Sequence, residues 1–205
     1  MSTWSAWGMV DERIGWRGLW VGGLVALVVV VVHAQVKDGG FVLDATAIVR
    51  DNPRVQHQDY AAIFRTSWWE HASEDTDHTL YRPLTLSWFA LLQGEGEDAE
   101  AVGMGNLLLH GLVSLLRFLL LAFLFRGLRH GVYLAGAAAV IAGVHGIATE
   151  SVVGMVGAAE LLAALFMTCS WLAFSRGQAG LGPAHGKLWL FAAMPLWFLA
   201  LLSKE

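Results

Sequence analysis

Charge is scarce in this chain. Only 15% of its 205 residues are Asp, Glu, Lys or Arg, against about 25% in soluble domains. Positive charge is not in excess either. Thirteen Lys and Arg face 17 Asp and Glu, for a net charge of -4, so no basic field exists to attract nucleic acid. Cysteine is almost missing. The single Cys169 lies in an apolar run, which excludes an internal disulfide and leaves the redox compartment unread. The His residues are scattered without the paired i, i+4 spacing of a helical metal site, so no metal centre is expected. There is no Walker phosphate loop, no GxGxxG after a strand and no Ser nucleophile elbow. No internal repeat is visible.

What is abundant is apolar surface. Hydrophobic residues make up 56% of the chain and the mean hydropathy is +0.55. The ten Trp suit a membrane interface, where one end of the ring is apolar and the other wet. A bilayer core of about 30 Å needs about 20 apolar residues per helix. Five stretches meet or approach that length: residues 16–34, 105–125, 131–147, 156–174 and 188–202. The first follows Arg13 and Arg17 and is longer than a signal core of about 7–15 residues. Its end, His33-Ala34-Gln35, matches a cleavage site poorly, so it reads as an uncleaved anchor.

The spacing therefore predicts an all-α, polytopic integral membrane protein with about five transmembrane helices. Residues 1–35 form the N-terminus and first span, residues 36–103 a long first loop, and residues 104–205 four further spans. Basic residues of short loops stay in the cytoplasm. Arg13 and Arg17, Arg126 and Arg129, and Arg176 and Lys187 fall in three such regions. The N-terminus is thus expected inside, and the first loop, the turn at 145–151 and Ser203-Lys204-Glu205 outside. The expected location is a bacterial inner membrane. The chain stops directly after its fifth span, which predicts an N-terminal portion of a longer or split gene product, with a separately encoded C-terminal half as a partner.

The loop is not low-complexity. Asp51-Asn52-Pro53 reads as a turn. Residues 59–69 read as an amphipathic helix lying on the membrane, with Ile63, Phe64, Trp68 and Trp69 as its apolar part. Residues 70–78 read as a polar loop, 83–92 as a helix opened by Pro83, and 93–100 as a charged connection.

Several polar residues stand where chemistry at a membrane face would need them. Asp44 follows the first span by about ten residues; it is either a general base for an incoming hydroxyl or a solvated turn former. Arg82 offers a guanidinium suited to phosphate, or simply snorkels to the interface. His110 and Arg117 are seven apart on the second span and share a face; Asn106 lies one turn before His110. A mid-membrane Arg must snorkel, pair or meet an anion. Glu150 follows the third span, and Glu160 is expected about two turns inside the fourth, as a functional acid or a packing partner.

In order along the chain come F-V-x-D (41–44), A-I-V (47–49), N-P-x-V (52–55), Y-R-P-L-T (81–85), N-L-L-L-H (106–110), T-E-S-V (149–152), A-E-L-L-A-A-L-F (159–166) and L-L-S-K-E (201–205). This ordered set resembles the start of the GT-C membrane glycosyltransferases, in the branch of protein O-mannosyltransferases with C-terminal tetratricopeptide repeats. The resemblance covers residues 41–205. It implies a polyprenyl-phosphate-linked sugar donor, a protein or glycan acceptor hydroxyl on the outer side, membrane lipids as partners, and no further cofactor. By position it makes Asp44 the first-loop base and gives Arg82, Asn106, His110, Glu150 and Glu160 substrate-binding roles; the mid-membrane Arg117 is the other candidate, beside Arg82, for binding the donor phosphate.

The chain departs from that pattern at three places. Ala45 stands where relatives carry a second acid. His145-Gly146-Ile147-Ala148-Thr149-Glu150 stands for H-P-x-H-T-E, and Ala158 for the Arg before A-E-L-L. These losses keep a second reading open: a non-catalytic pseudoenzyme, membrane subunit or fragment that binds lipid or a partner.

Overall fold

The computed structural model describes residues 8–71, 80–93, 98–178 and 183–205. Every element there is helical, with no strand among the described residues, as the composition predicts. The order is α1 (Gly8–Val32), a 3-10 turn (Ala34–Asp38), a π-helical turn (Thr46–Arg50), α2 (Pro53–Gln56), α3 (Tyr60–Ile63), α4 (Pro83–Gln93), α5 (Ala99–Leu124), α6 (Gly131–Val144), α7 (Gly146–Val153), α8 (Ala158–Gln178) and α9 (Pro183–Ser203). The predicted polar loop at 70–78 lies almost wholly outside the described residues, as does the middle of the 93–100 connection.

Four helices are long and apolar enough to cross a membrane, and the bent pair α6–α7 raises the number to five. The predicted third span, 131–147, is therefore not one straight helix. It breaks at His145, whose extended backbone (φ -63, ψ 142) ends α6 and caps α7, and the chain turns by 57° there. The expected turn at 145–151 is accordingly mostly helix.

Packing of the spans rests on small residues. Without a hydrophobic drive in lipid, helices associate where backbones approach closely. A Cβ on Gly143 of α6 would stand 2.5 Å from Val29 Cγ2 of α1 and 3.0 Å from Ser114 Oγ of α5. A Cβ on Gly22 of α1 would stand 3.1 Å from the Phe118 ring of α5. Val25, Phe118, Ala122, Ala135 and Ala139 close this three-helix seam.

The first loop folds into a cap on one end of the bundle. Asn52 accepts from Arg54 N and Pro53 occupies the first helical turn, so Asn-Pro starts α2. Asp59 caps α3 in the same way, through Ala62 N. Ala45, Ile48, Val49, Val55, Ile63, Trp68, Leu86, Phe89 and Ala90 then form one core with Val102 of α5 and Ala158 of α8. This corrects the expected membrane-lying helix at 59–69. Only Tyr60–Ile63 is helical, and Ile63 and Trp68 are buried in the protein while Phe64 alone of the apolar set is strongly exposed. A period of 3.6 shows which residues share a face, and cannot say whether lipid or protein covers it.

The seam yields a prediction. Gly143→Val drives a branched side chain into buried Val29 and should cost about 1–3 kcal/mol. In detergent its unfolding midpoint should fall, whereas Gly23→Ala, with nothing within 4 Å of the added methyl, should leave the midpoint unchanged or slightly raised. Equal midpoints for Gly143→Val and the unaltered protein would contradict this packing.

Candidate functional site

The sequence-predicted residues fall into three places. The first is the capped end. Arg82, just before α4, sends Nη2 to Glu205 Oε1 at 3.2 Å and Nε to Glu205 Oε2 at 3.3 Å. Its guanidinium also lies 5.2 Å from the Trp68 ring centroid, a cation–π distance. One residue earlier, Lys204 Nζ bonds Glu160 Oε1. Glu160 Oε2 is out of solvent contact and has no partner. Two cations and two carboxylates thus meet where α4 and α8 begin and α9 ends. Thr85 Oγ1 donates to Ser203 O at 2.9 Å and locks the α9 end onto α4.

Glu160 is not two turns inside its span, as the sequence suggested. α8 begins at Ala158, so Glu160 lies in its first turn, where a carboxylate also favours the positive end of the helix dipole.

Asp44 belongs to the same end. Its neighbour Ala45 is wholly buried in the cap core, while Asp44 itself is exposed. Its carboxylate makes no ion pair with Arg82 or Lys204 and no hydrogen bond among the described residues. Asn106 ties the cap to the bundle: its Oδ1 accepts from Trp88 Nε1 at 3.0 Å and its Nδ2 donates to Met155 O at 2.7 Å.

The second place is the break between α6 and α7. His110 Nε2 pairs with Gly143 O at 2.9 Å and its ring meets His33 edge-on, centroids 5.1 Å apart. His33 Nδ1 pairs with Val29 O at 3.0 Å and Nε2 approaches Thr149 Oγ1 at 3.4 Å. His110 is thus part of a polar seam inside the bundle. Glu150 lies on α7, exposed, and joins neither group.

The third place holds Arg117, on one face of α5 with His110 and within reach of its ring by charge. It stands eleven residues beyond Asn106 on α5, about 16 Å along the axis. It is half-buried, and its side chain makes no hydrogen bond or ion pair among the described residues. The structure therefore does not bring it together with Arg82. Among the described residues, no three His, Cys, Asp or Glu side chains assemble as a metal site would require.

Residues that sequence reasoning missed complete the cap. Arg54 bonds Thr66 Oγ1 and His71 Nδ1, the latter at 3.0 Å, and His71 Nε2 bonds Ala47 O. With Arg54 donating to Nδ1 and Nε2–H donating to Ala47, one neutral tautomer of His71 is fixed. Lys204 and Glu205 were read only as a terminal motif. Their signal was present, since charges closing a hydrophobic span need partners.

Comparison with known proteins places the chain among relatives. No family model matches and no solved structure matches. Curated proteins do. Protein O-mannosyl-transferase TMTC4 of Mus musculus is 31% identical over 210 residues, covering 91% of this chain and 27% of that protein. Protein O-mannosyl-transferase TMTC3 of Homo sapiens is 31% identical over 171 residues, covering 81% and 18%. Protein O-mannosyl-transferase TMTC1 of Homo sapiens is 32% identical over 145 residues, covering 67% and 16%. The chain spans about a quarter or less of the length of these relatives.

Burial pushes the pKa of His71 below its ordinary value, with the neighbouring Arg54 acting in the same direction against the Ala47 hydrogen bond. The unfolded chain then binds the proton first. The neutral ring's contribution is complete above about pH 6.5 and is lost as pH falls below that value towards the folded pKa. Hydrogen-exchange protection in the cap, referred to the intrinsic rate at each pH, should fall between neutral and mildly acidic pH, and His71→Gln should flatten that dependence. A dependence of the same size in the variant would remove His71 as its source.

Proposed function

We propose that this chain, a relative of the protein O-mannosyl-transferases, works as a glycosyltransferase at the capped face. The donor is a sugar on a polyprenyl phosphate and the acceptor a hydroxyl of a protein or glycan. The membrane is the bacterial inner membrane, with the capped face outside. The basic residues support that orientation: Arg17, Arg126, Arg129 and Arg176 all lie away from the cap, in or beside the opposite ends of the spans.

The observation that carries this reading is the four-charge cluster. Arg82 just precedes α4 and Lys204 just follows α9, both at helix ends of the capped face, and each is held by a carboxylate. A phosphate arriving there replaces Glu205 on Arg82, whose planar fork suits two phosphate oxygens. Lys204 adds a second positive charge. The unpartnered Glu160 Oε2 is an acceptor awaiting a donor, as a sugar hydroxyl would supply.

The reaction is one displacement at the anomeric carbon. The acceptor oxygen forms the new bond, the bond from carbon to phosphate oxygen breaks, and the leaving polyprenyl phosphate keeps the electron pair. Arg82 and Lys204 stabilise that growing negative charge. The acceptor proton passes to a carboxylate. Asp44 is the one first-loop acid that carries the resemblance and is free to take it. Its partner-free carboxylate is pre-exposed, and the lipid-bound donor restricts encounter to the membrane surface.

The losses at Ala45, Gly146, Ala148 and Ala158 support a second reading, a non-catalytic pseudoenzyme, membrane subunit or fragment that binds lipid or a partner. One assay separates the two. With a labelled polyprenyl-phosphate sugar, Asp44→Asn should lower transfer by about 10²–10⁴-fold and leave donor binding intact. Turnover within a few-fold of the unaltered protein would show that Asp44 is not the base. Donor binding without any transfer by the unaltered protein, also when joined to any missing C-terminal half, would favour the pseudoenzyme.

A further inference from the structure

His33 follows α1 and His110 stands in α5, and both are buried, at 4% and 1% exposed. Each of their ring nitrogens can be assigned. His33 Nδ1 lies 3.0 Å from Val29 O, and His110 Nε2 lies 2.9 Å from Gly143 O. A carbonyl oxygen only accepts, so these two nitrogens carry the protons. The lone pairs are then on His33 Nε2 and His110 Nδ1. His33 Nε2 has the Thr149 hydroxyl at 3.4 Å, which is long for a hydrogen bond. His110 Nδ1 is out of solvent contact and has no hydrogen-bond partner among the described residues. The same holds for Ser114 Oγ, one turn further along α5.

This is how metal-binding histidines are held. Such a histidine donates its other ring N–H to a carbonyl or carboxylate, which fixes the tautomer and orients the ring. Both rings do so here. Two imidazoles on one tetrahedral ion, at about 2.0–2.1 Å from metal to nitrogen, have their ring centres about 5 Å apart. These two are 5.1 Å apart, at 83° to one another. The backbone adds a negative field. Val29 lies in the last turn of α1 and Gly143 in the last turn of α6. A Cβ on Gly143 would stand 2.5 Å from Val29 Cγ2, so the two helix ends lie side by side. Each C-terminal end carries about half a negative charge, and the C-terminal ends of broken membrane helices are where cations are held. The opposing charge is Arg117, seven residues further along α5 and about 10 Å away along its axis. Thr149 is exposed, which gives an ion a route to His33.

We propose that His33 Nε2 and His110 Nδ1 bind one divalent ion of the zinc class. Two side-chain nitrogens fall short of the four ligands of a closed structural site. The remaining positions go to Thr149 Oγ1 and water. Both ligand nitrogens are already without a proton, so none has to leave. The ion clamps the end of α1 to α5 and to α7 at the break in the third span. It is separate from the charge cluster of the proposed transferase and takes no part in transfer.

The test is a titration of the full chain in detergent, first freed of metal by a chelator, with Co2+. Visible absorption of the bound ion reports tetrahedral nitrogen ligation. One saturable site per chain is expected, weakened at least about a hundredfold in His33→Gln and in His110→Gln. Gln at position 110 keeps an N–H for Gly143 O. A variant with His57→Gln and His130→Gln, both exposed, should bind as the unaltered protein does. A second measurement needs no variant: electron spin echo modulation of Cu2+ bound to the unaltered protein should count two coordinated imidazoles. Absence of a saturable site in the unaltered protein would overturn the proposal. So would equal affinity in both buried-histidine variants, loss of binding in the exposed-histidine variant, or fewer than two imidazoles on Cu2+.

Discussion

Inside a membrane no polar group can turn to water, and an unpaired one costs several kcal/mol. The buried amide of Asn106 meets this constraint in a way that organises the whole capped end. It takes the indole N–H of Trp88 from α4 and gives its own N–H to the carbonyl of Met155, just before α8. One side chain thereby fixes the cap, the central helix and the entry to the next span. Met155 itself holds a left-handed backbone, φ 51, so the carbonyl is presented by a strained turn that the amide helps to retain. With α4 set by that tie, Arg82 stands at the start of the helix and Glu160 opens α8 beside it.

The cap explains how a chain with few charges concentrates them. Lys204 and Glu205 emerge from a span lined with Leu, Phe and Trp, and both find opposite charges across the chain. Half-exposed pairs of this kind contribute little stability, about 0–1 kcal/mol each. Their weakness suits an exchangeable site. In the proposed function a ligand phosphate would replace a carboxylate at small cost, whereas a deeply buried pair would resist the exchange.

Much of this was legible in the sequence, for identifiable reasons. The spans were readable because hydrocarbon demands long apolar runs, and the start of α4 because Pro83 suits a first turn. Arg82 was legible as a charge at a boundary, whereas Glu160 was read about two turns inside a span whose first turn it occupies. Their partners were not, since pairing across more than a hundred residues depends on how α9 returns to α4. At His145 a turn was expected over 145–151, and the helix Gly146–Val153 that follows the bend was missed because hydropathy does not report backbone direction. Trp68 and Ile63 were assigned to lipid because helical periodicity reports a face and not its cover. The neutral tautomer of His71 needed both Arg54 and Ala47 O in place, which no local pattern reveals.

The central claim is that Arg82 and Lys204 together receive the phosphate of a polyprenyl lipid. The most direct measurement is equilibrium binding of a polyprenyl phosphate, beside the uncharged polyprenol, to the unaltered protein, to Arg82→Gln and to Lys204→Gln. Loss of a charge-assisted contact of about 1.5–3 kcal/mol predicts a fall of roughly tenfold to a hundredfold in phosphate affinity for each variant, with polyprenol binding unchanged. Equal phosphate affinity in all three proteins would contradict the account.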